Sequence, residues 1–459
     1  MRTPCTTRRT AAHHERVIRW LDARVNYERT PAGSNSSATF SLGRMRRLLH
    51  DLGDPHLRHP VAHVAGTKGK GSTVAMLACI LREAGHRVGS YLSPHVHRVE
   101  ERIAVDGRPV STADFAAGLE VVIPAVERID ATAARRGRCG PTWFEVMTAV
   151  AFTHFASRGV DIVVLETGIG GRLDATNVCH PLVTIITSIG LDHMKLLGPT
   201  ITRIAGEKAG IIKRGCPVIS GATQPAARNV IAETAARRRA PLLQLGRDFA
   251  VRHVDSTTRP GTLAGAVFEF DRHDGATPRR YALRLAGRHQ AENASLAVVA
   301  AEQLRRRGIR IDDEAIRRGL SKATLPARIQ VVSTHPLVVV DAAHNVASMT
   351  ALASTLRPVL HDHAPRVLVF AASADKQIEA MLKPLAGLLD RVIVTRYLEN
   401  PRAAPLDRLR SACVAAGLPH PTEAASPDEA LRLARSVAGR SGLVLVAGSF
   451  FLAGEVGAG

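Results

Sequence analysis

Aromatic residues are scarce in this 459-residue chain: two Trp, four Tyr and eleven Phe make up 4% of it. A protein that grips single-stranded nucleic acid needs ring faces on which bases stack, and few are on offer. Cysteine is sparse as well. The six Cys, at 5, 79, 139, 179, 216 and 413, form no CxxC pair and no zinc-type Cys/His spacing, so a reduced, cytoplasmic protein is expected. No apolar run reaches the roughly 18 residues of a membrane helix, and Met1–Arg16 lacks the apolar core of a signal peptide. Acidic residues are in deficit. The 61 Lys+Arg outnumber 41 Asp+Glu, leaving a formal net charge of +20. The basic clusters Arg135/Arg136/Arg138, Arg237–Arg239, Arg279/Arg280 and Arg305–Arg307 stand in separate polar stretches, mostly near expected helix ends. A solvated arginine-rich surface accounts for them, with a field that draws in a small polyanion as the intermediate reading.

What is present is enough apolar content, 45%, for packed cores, and at roughly 150 residues per domain the length suggests two or three domains. From about Val61, short β-branched runs alternate with helical patterns. Val61–Ala65, Val88–Leu92, Asp161–Leu165 and Val183–Thr187 read as buried strands, with helices over Ser72–Glu83 and Trp143–Ser157. Residues 245–285 carry strand pieces (Val267–Phe270, Tyr281–Leu285) between polar turns, an antiparallel excursion, and a helical stretch Gln290–Arg307 follows. Past Leu325–Pro326 the alternation resumes on a smaller scale. Strands Leu337–Val340, Arg366–Phe370, Arg391–Thr395 and Leu443–Ala447 interleave with helices at 347–358, 377–389 and 427–438. The expected fold is α/β: a P-loop-containing, mostly parallel sheet domain over residues 1–322, then a smaller Rossmann-like α/β domain over 323–459.

Val61–Ala65 runs into Gly66-Thr67-Lys68-Gly69-Lys70-Gly71-Ser72-Thr73 and then a helix. A glycine-rich turn lets backbone N–H groups converge on phosphate oxygens, and the helix N-terminus adds partial positive charge. Lys70 is placed to reach the β- and γ-phosphates of ATP. The hydroxyl that usually follows this lysine directly is displaced by Gly71 to Ser72.

This loop resembles that of the folylpolyglutamate synthases, where Asn is usual at the position of Lys68. The resemblance extends over Phe40-Ser41-Leu42-Gly43-Arg44-Met45, Tyr91-Leu92-Ser93-Pro94-His95, Glu101-Arg102-Ile103 and Thr142-Trp143-Phe144-Glu145. It continues through Leu165–Asn177 (LETGIGGRLDATN), Ile189-Gly190-Leu191-Asp192-His193, Glu207–Lys213, His289-Gln290 with Asn293, and Asp341-Ala342-Ala343-His344-Asn345. The order and spacing place the chain within the larger group of Mur-type ATP-dependent amide ligases. The resemblance implies joining of L-glutamate to a folate γ-carboxylate, and to 7,8-dihydropteroate, through an acyl phosphate, with ATP and two Mg²⁺ ions.

Residue by residue, the resemblance assigns nucleotide contacts to Gly66, Thr67, Lys68, Gly69, Lys70, Gly71, Ser72, Asn293, Arg328 and Asp341. Glu166, at the end of its strand, can supply oxygen ligands to Mg²⁺, with imidazole from His193 at the end of the next strand and the hydroxyl of Ser93; the resemblance assigns all three to the metal. Glu207-Lys208 reads on its own as an exposed helix pair. In the family the matching lysine is carbamylated and helps to hold the second ion. Thr142, Trp143, Phe144 and Glu145, with Leu173, Asp174 and Ala175, would face the pterin-bearing substrate, core packing being the plain alternative for Trp143-Phe144. His344 would lie near the transferring phosphate or the incoming glutamate, and Asp375-Lys376 near the glutamate end. Lys70, Lys208 and His344 are the expected catalytic groups. Departures from the family are Leu325 and Ala327 in place of Trp and Gly before Arg328, and Ala342 in place of Gly after Asp341. The other readings are a cell-wall (Mur-type) amino-acid ligase and a basic nucleic-acid-binding NTPase. Against them stand the Gly71-Ser72 loop, the Ser93-Pro94-His95 motif and the lack of clustered basic and aromatic residues. No nucleic-acid partner, no membrane association and a monomeric state are expected.

Overall fold

In the computed structural model the described residues are 14–28, 40–254, 263 and 265–456. Eight strands build the larger sheet: β1 (Val61–Ala65), β2 (Val88–Tyr91), β3 (Ile103–Val105), β4 (Arg108–Pro109), β5 (Ile162–Glu166), β6 (Val183–Ile186), β7 (Val218–Ser220) and β8 (Leu242–Gln244). Their order is β4-β3-β2-β5-β1-β6-β7-β8, parallel from β2 to β8, with β3 and β4 antiparallel at one edge. β1 and β5 are buried along their whole length, which is why they read as unbroken apolar runs rather than alternating ones.

The chain leaves β1 for β2 on one side and reaches β6 on the other. Crevices at such reversals, beyond the strand C-termini, are where open α/β sheets hold ligands. Helix α1 (Lys70–Glu83) leaves β1, and α2 (Trp143–Arg158) precedes β5. The short α3 (Ile201–Ala209) follows β6, and α4 (Arg288–Arg306) with α5 (Asp313–Lys322) packs on α1. Between β8 and α4 lies an antiparallel sheet of β9 (Ala250–Val254), β10 (Val267–Asp271) and β11 (Arg279–Ala282). It is the antiparallel excursion expected from the polar turns, although β11 begins two residues before Tyr281 and ends at Ala282.

A second sheet of six strands is ordered β12-β13-β17-β14-β15-β16: β12 (Gln330–Thr334), β13 (Leu337–Val340), β14 (Arg366–Phe370), β15 (Arg391–Val394), β16 (Thr422–Glu423) and β17 (Leu443–Ala447). Only β12, at the edge, runs antiparallel. Helix α6 (Val346–Leu360) follows β13. The helix expected over 377–389 holds as an α-helix only for Ile378–Leu382, then tightens to a 3₁₀ turn at Lys383–Leu385, where Pro384 has no N–H to continue it. Among the described residues no helix is long and apolar enough to cross a membrane.

Candidate active site

The loop after β1 is braced by the exit of β6. Thr67 N donates to Ser188 O at 2.7 Å, and Thr187 Oγ1 donates to Lys68 O at 2.7 Å. Gly69 caps α1 with φ +85°, and a Cβ there would stand 2.1 Å from Asn293 Oδ1 on α4, so conformation and space both demand glycine. No side chain caps α1, which leaves its first-turn amides open to an anion. The loop thus joins Gly66–Ser72 and Asn293 in one place.

Two lysines of this loop diverge. Lys70 stays at the sheet, its Nζ 3.7 Å from Glu166 Oε1. Lys68 reaches away, donating to Asp192 Oδ2 at 2.9 Å and approaching His344 Nε2 at 3.1 Å. Against the upward pull of burial, Lys68 holds the Asp192 carboxyl far below the usual carboxylate range. The third lysine, Lys208, is 4% exposed and donates to Gly66 O at 2.7 Å. It belongs to the interior, not to an exposed helix pair. Desolvation, reinforced by Lys70, pushes its amine down to about 7. Lys376 adds a fourth cation whose field reaches Lys68, Asp192 and His193.

Register sets the acidic part of the site. Tyr91 pairs with Leu165, so the turn after β2 meets the end of β5, and Ser93 N donates to Glu166 Oε2 at 3.1 Å. Burial pushes the Glu166 carboxyl up, opposed by Lys70. His193 does not end β6: it lies seven residues beyond Ile186, at φ +49°, ahead of the one-turn helix Met194–Leu197. Its electrostatic neighbours include Lys70 and Lys208, which places it by the same corner.

From the second domain, the turn after β13 brings His344, and the strand-entry segment brings Arg328. Ala327 and Ile329 both adopt positive φ (+52° and +48°), a strained choice for a β-branched residue, costing on the order of 1–3 kcal/mol. Asp341 maintains it. Its Oδ2 accepts from Ile329 N at 2.8 Å and its Oδ1 from Ala343 N at 2.7 Å. The Arg328 guanidinium lies 4.8 Å over the Phe450 ring and faces a cavity of about 370 Å³ shared with Gly71, Ser93, Glu166 and Leu325. Asp375 lines neither this cavity nor the next; its carboxylate accepts from Arg402 at 2.8 Å.

A second cavity, about 100 Å³, is lined by Thr142, Phe144, Glu145, Leu173, Asp174 and Ala175, six of the seven residues expected to face the acyl substrate. Trp143 is the exception. It is 3% exposed, donates from Nε1 to Asp22 and carries the Arg102 guanidinium 4.7 Å over its ring, so it serves the core. Glu145 accepts a two-pronged pair from Arg44 (2.7–3.0 Å) and caps back onto Thr142 N at 2.8 Å. Asp174 accepts from the amides of Gly168, Ile169 and Thr176. Arg44 and Asp192 received no role from the sequence, although both stand inside the motif runs quoted above, where a charged residue beside a motif was the available signal. Lys376, which the resemblance put with Asp375 near the glutamate end, extends its field to Lys68, Asp192 and His193.

Two parallel-sheet domains meeting over a phosphate loop define the class, the Mur ligases, which are ATP-dependent. Residues 140–301 match the Mur ligase middle domain and 327–450 match the Mur ligase, glutamate ligase domain. The dihydrofolate synthase/folylpolyglutamate synthase of Bacillus subtilis (strain 168) is 38% identical over 439 residues, 95% of this chain and 96% of the relative. The chain belongs to the dihydrofolate synthase/folylpolyglutamate synthase family. Among solved structures, Mycobacterium tuberculosis folylpolyglutamate synthase complexed with ADP and AMPPCP is 33% identical, with a TM-score of 0.84 over 97% of this chain and 98% of that one. E. coli FolC in complex with DHPP and ADP is 32% identical, with a TM-score of 0.78 over 96% of each chain.

Proposed function

We propose that the chain joins L-glutamate to the γ-carboxylate of a folate, and to 7,8-dihydropteroate, at the expense of ATP. The observation that carries this reading is the corner where the four lysines Lys68, Lys70, Lys208 and Lys376 converge, with Asp192 beside Lys68, Glu166 beside Lys70 and Asp375 at 4.0 Å from Lys376, between a phosphate loop and the pocket beside Phe144. Such a corner suits a phosphate group in transit from the loop to a carboxylate presented from that pocket. The substrate carboxylate oxygen attacks the γ-phosphorus, the bond to the bridging β,γ-oxygen breaks, and ADP leaves. The glutamate amine, after losing a proton, attacks the acyl carbon. The bond from that carbon to the phosphate oxygen then breaks, releasing inorganic phosphate.

In this scheme Lys70, with the open amides of α1, holds the β- and γ-phosphates. Asn293, Arg328 and Asp341 border the nucleotide, while Phe144, Leu173 and Ala175 seat the pterin-bearing end. His344 and Asp375 belong to the side from which glutamate arrives. The donor set fits Mg²⁺. The Glu166 carboxylate is buried, with one amide donor and the Lys70 ammonium 3.7 Å away, and it retains lone pairs for a cation alongside Ser93 and His193. Among the described residues no three His, Cys, Asp or Glu form a ready-made cluster, so further ligands would come from phosphate oxygens and from Lys208. The lowered Lys208 amine is suited to add to CO₂, forming a carbamate and releasing a proton. Bound there, Mg²⁺ offsets charge on the phosphate oxygens.

Closure of the second domain over the corner excludes water from the acyl phosphate. The test is ATP turnover by purified protein with folates and dihydropteroate, with and without glutamate. Phosphate release that depends on both substrates, with a glutamylated product by mass, is expected. ATP consumption indifferent to glutamate and to every pteroyl substrate sinks the assignment.

A further inference from the structure

We infer that Lys68 is a positioning residue of the glutamate half of the reaction, tying the second domain to the phosphate loop through His344. The loop position alone would make it one more phosphate cation, but its side chain leaves the loop. The geometry fixes the state of its partner. His344 Nδ1 stands 2.8 Å from Ala342 O, a carbonyl that can only accept, so Nδ1 carries the ring proton. Nε2 therefore presents a lone pair, and the Lys68 ammonium, 3.1 Å away, donates to it. A second hydrogen bond to Asp192 Oδ2, 2.9 Å away on the loop after β6, anchors the same ammonium to the first domain. One side chain thus spans both domains, its base fixed by the Thr187 and Ser188 contacts to the loop backbone.

The imidazole is held on both nitrogens, and the turn that carries it is also held. His344 N and Asn345 N donate to Ser348 Oγ, and Asn345 caps α6. The ring can pivot away from the phosphate loop only if Lys68 releases it. An uncharged Asn, usual at this position in the resembling family, is two bonds shorter and supplies no ammonium. In this chain Lys68 sets where His344 sits when the amine approaches, whereas Lys70, turned to Glu166, serves the phosphates.

The inference rests on the proposed ligation, and the experiment separates the two. Acyl phosphate formed without glutamate is trapped with hydroxylamine, and complete ligation is followed by mass. In K68M, ligation falls about tenfold more than trapping, and KM for glutamate rises more than KM for ATP. K68R, which keeps the cation, recovers ligation. Independently of activity, small-angle scattering of ligand-free K68M gives a larger radius of gyration than wild type, through a loosened domain pair. Parallel losses of trapping and ligation, a K68R as impaired as K68M, or K68M scattering that superimposes on wild type overturns the inference. A wild-type enzyme that ligates no pteroyl substrate overturns the proposed function instead, and the scattering comparison still decides the tie between domains.

Discussion

In the pocket beside Phe144 the acids are satisfied within the fold, whereas at the corner around Lys208 cations outnumber their partners. Glu145 is held by Arg44 and Thr142, and Asp174 by three backbone amides, so that pocket is rigid before anything binds. At the corner, Lys208 has a single carbonyl for company, and Lys70 stands 3.7 Å from its nearest carboxylate. The difference is one of ligand. A flat heterocycle can be read by shape and a few fixed hydrogen bonds, but a triphosphate brings charge that the empty fold must leave unmatched. The corner therefore stores electrostatic destabilisation that a bound phosphate would relieve, whereas in the pocket the cost is that of burying Asp174, whose carboxyl is pushed up by desolvation against its amide donors.

The contrast should show first in stability against pH. The Lys208 amine titrates at about 7 in the fold and near 10.5 when unfolded. Below 7 both states carry the proton, and the buried cation exerts its full cost. Between 7 and 10.5 the unfolded chain binds more protons, so stability rises with pH, by about 4–5 kcal/mol at ~1.4 kcal/mol per unit. Denaturant unfolding in bicarbonate-free buffer reads this slope. Lys208→Met should be the more stable protein at pH 6.5 and should flatten the curve, and an unchanged slope in that variant breaks the argument.

In the pocket, removal of a charge has the opposite sign. Glu145→Ala takes from the Arg44 guanidinium, whose side chain is 14% exposed, its two-pronged carboxylate and from Thr142 its cap, and should cost about 3–5 kcal/mol in the same unfolding experiment. A loss under 1 kcal/mol would mean that the pair contributes no more than a surface salt bridge. Next comes Lys70→Ala, expected to lower kcat/KM for ATP by about 10²–10³ with little change in unfolding free energy, since the loss of a repelling neighbour of Lys208 offsets the loss of the cation 3.7 Å from buried Glu166. An activity loss accompanied by destabilisation would move Lys70 to the structural side of the comparison.

How legible these regions were in the sequence follows the same division. β1, β13, β14 and β17 stand where their β-branched runs put them, because strands buried on both faces write themselves as continuous apolar text. The two-residue β4 and β16, exposed at sheet edges, have no such signature. Motif order brought Gly66–Ser72, Glu166, Ser93 and Lys208 to one corner. It did not reveal which way a side chain turns. Trp143 and Phe144 are neighbours in one motif, yet the helix start of α2 sends the first into the core and leaves the second at the pocket. Lys68 and Lys70 diverge in the same manner, and the partners that pull Lys68 away, Asp192 and His344, lie 124 and 276 residues along the chain.

The smallest effect concerns the excess charge itself. Much of it lies on exposed arginines such as Arg135, Arg136 and Arg138, which line neither cavity. If the summed field helps to gather polyanions, salt should act on substrates according to their charge, not their pterin. Raising ionic strength from about 0.05 to 0.2 M shortens the screening length from roughly 14 to 7 Å. Apparent KM for a folate bearing several γ-glutamates should then rise about two- to threefold, and for dihydropteroate, which lacks the polyanionic tail, much less. The measurement is a pair of KM series at fixed saturating ATP. An equal shift for both substrates would show that the surface arginines act only on solubility, leaving substrate capture to the four lysines of the corner.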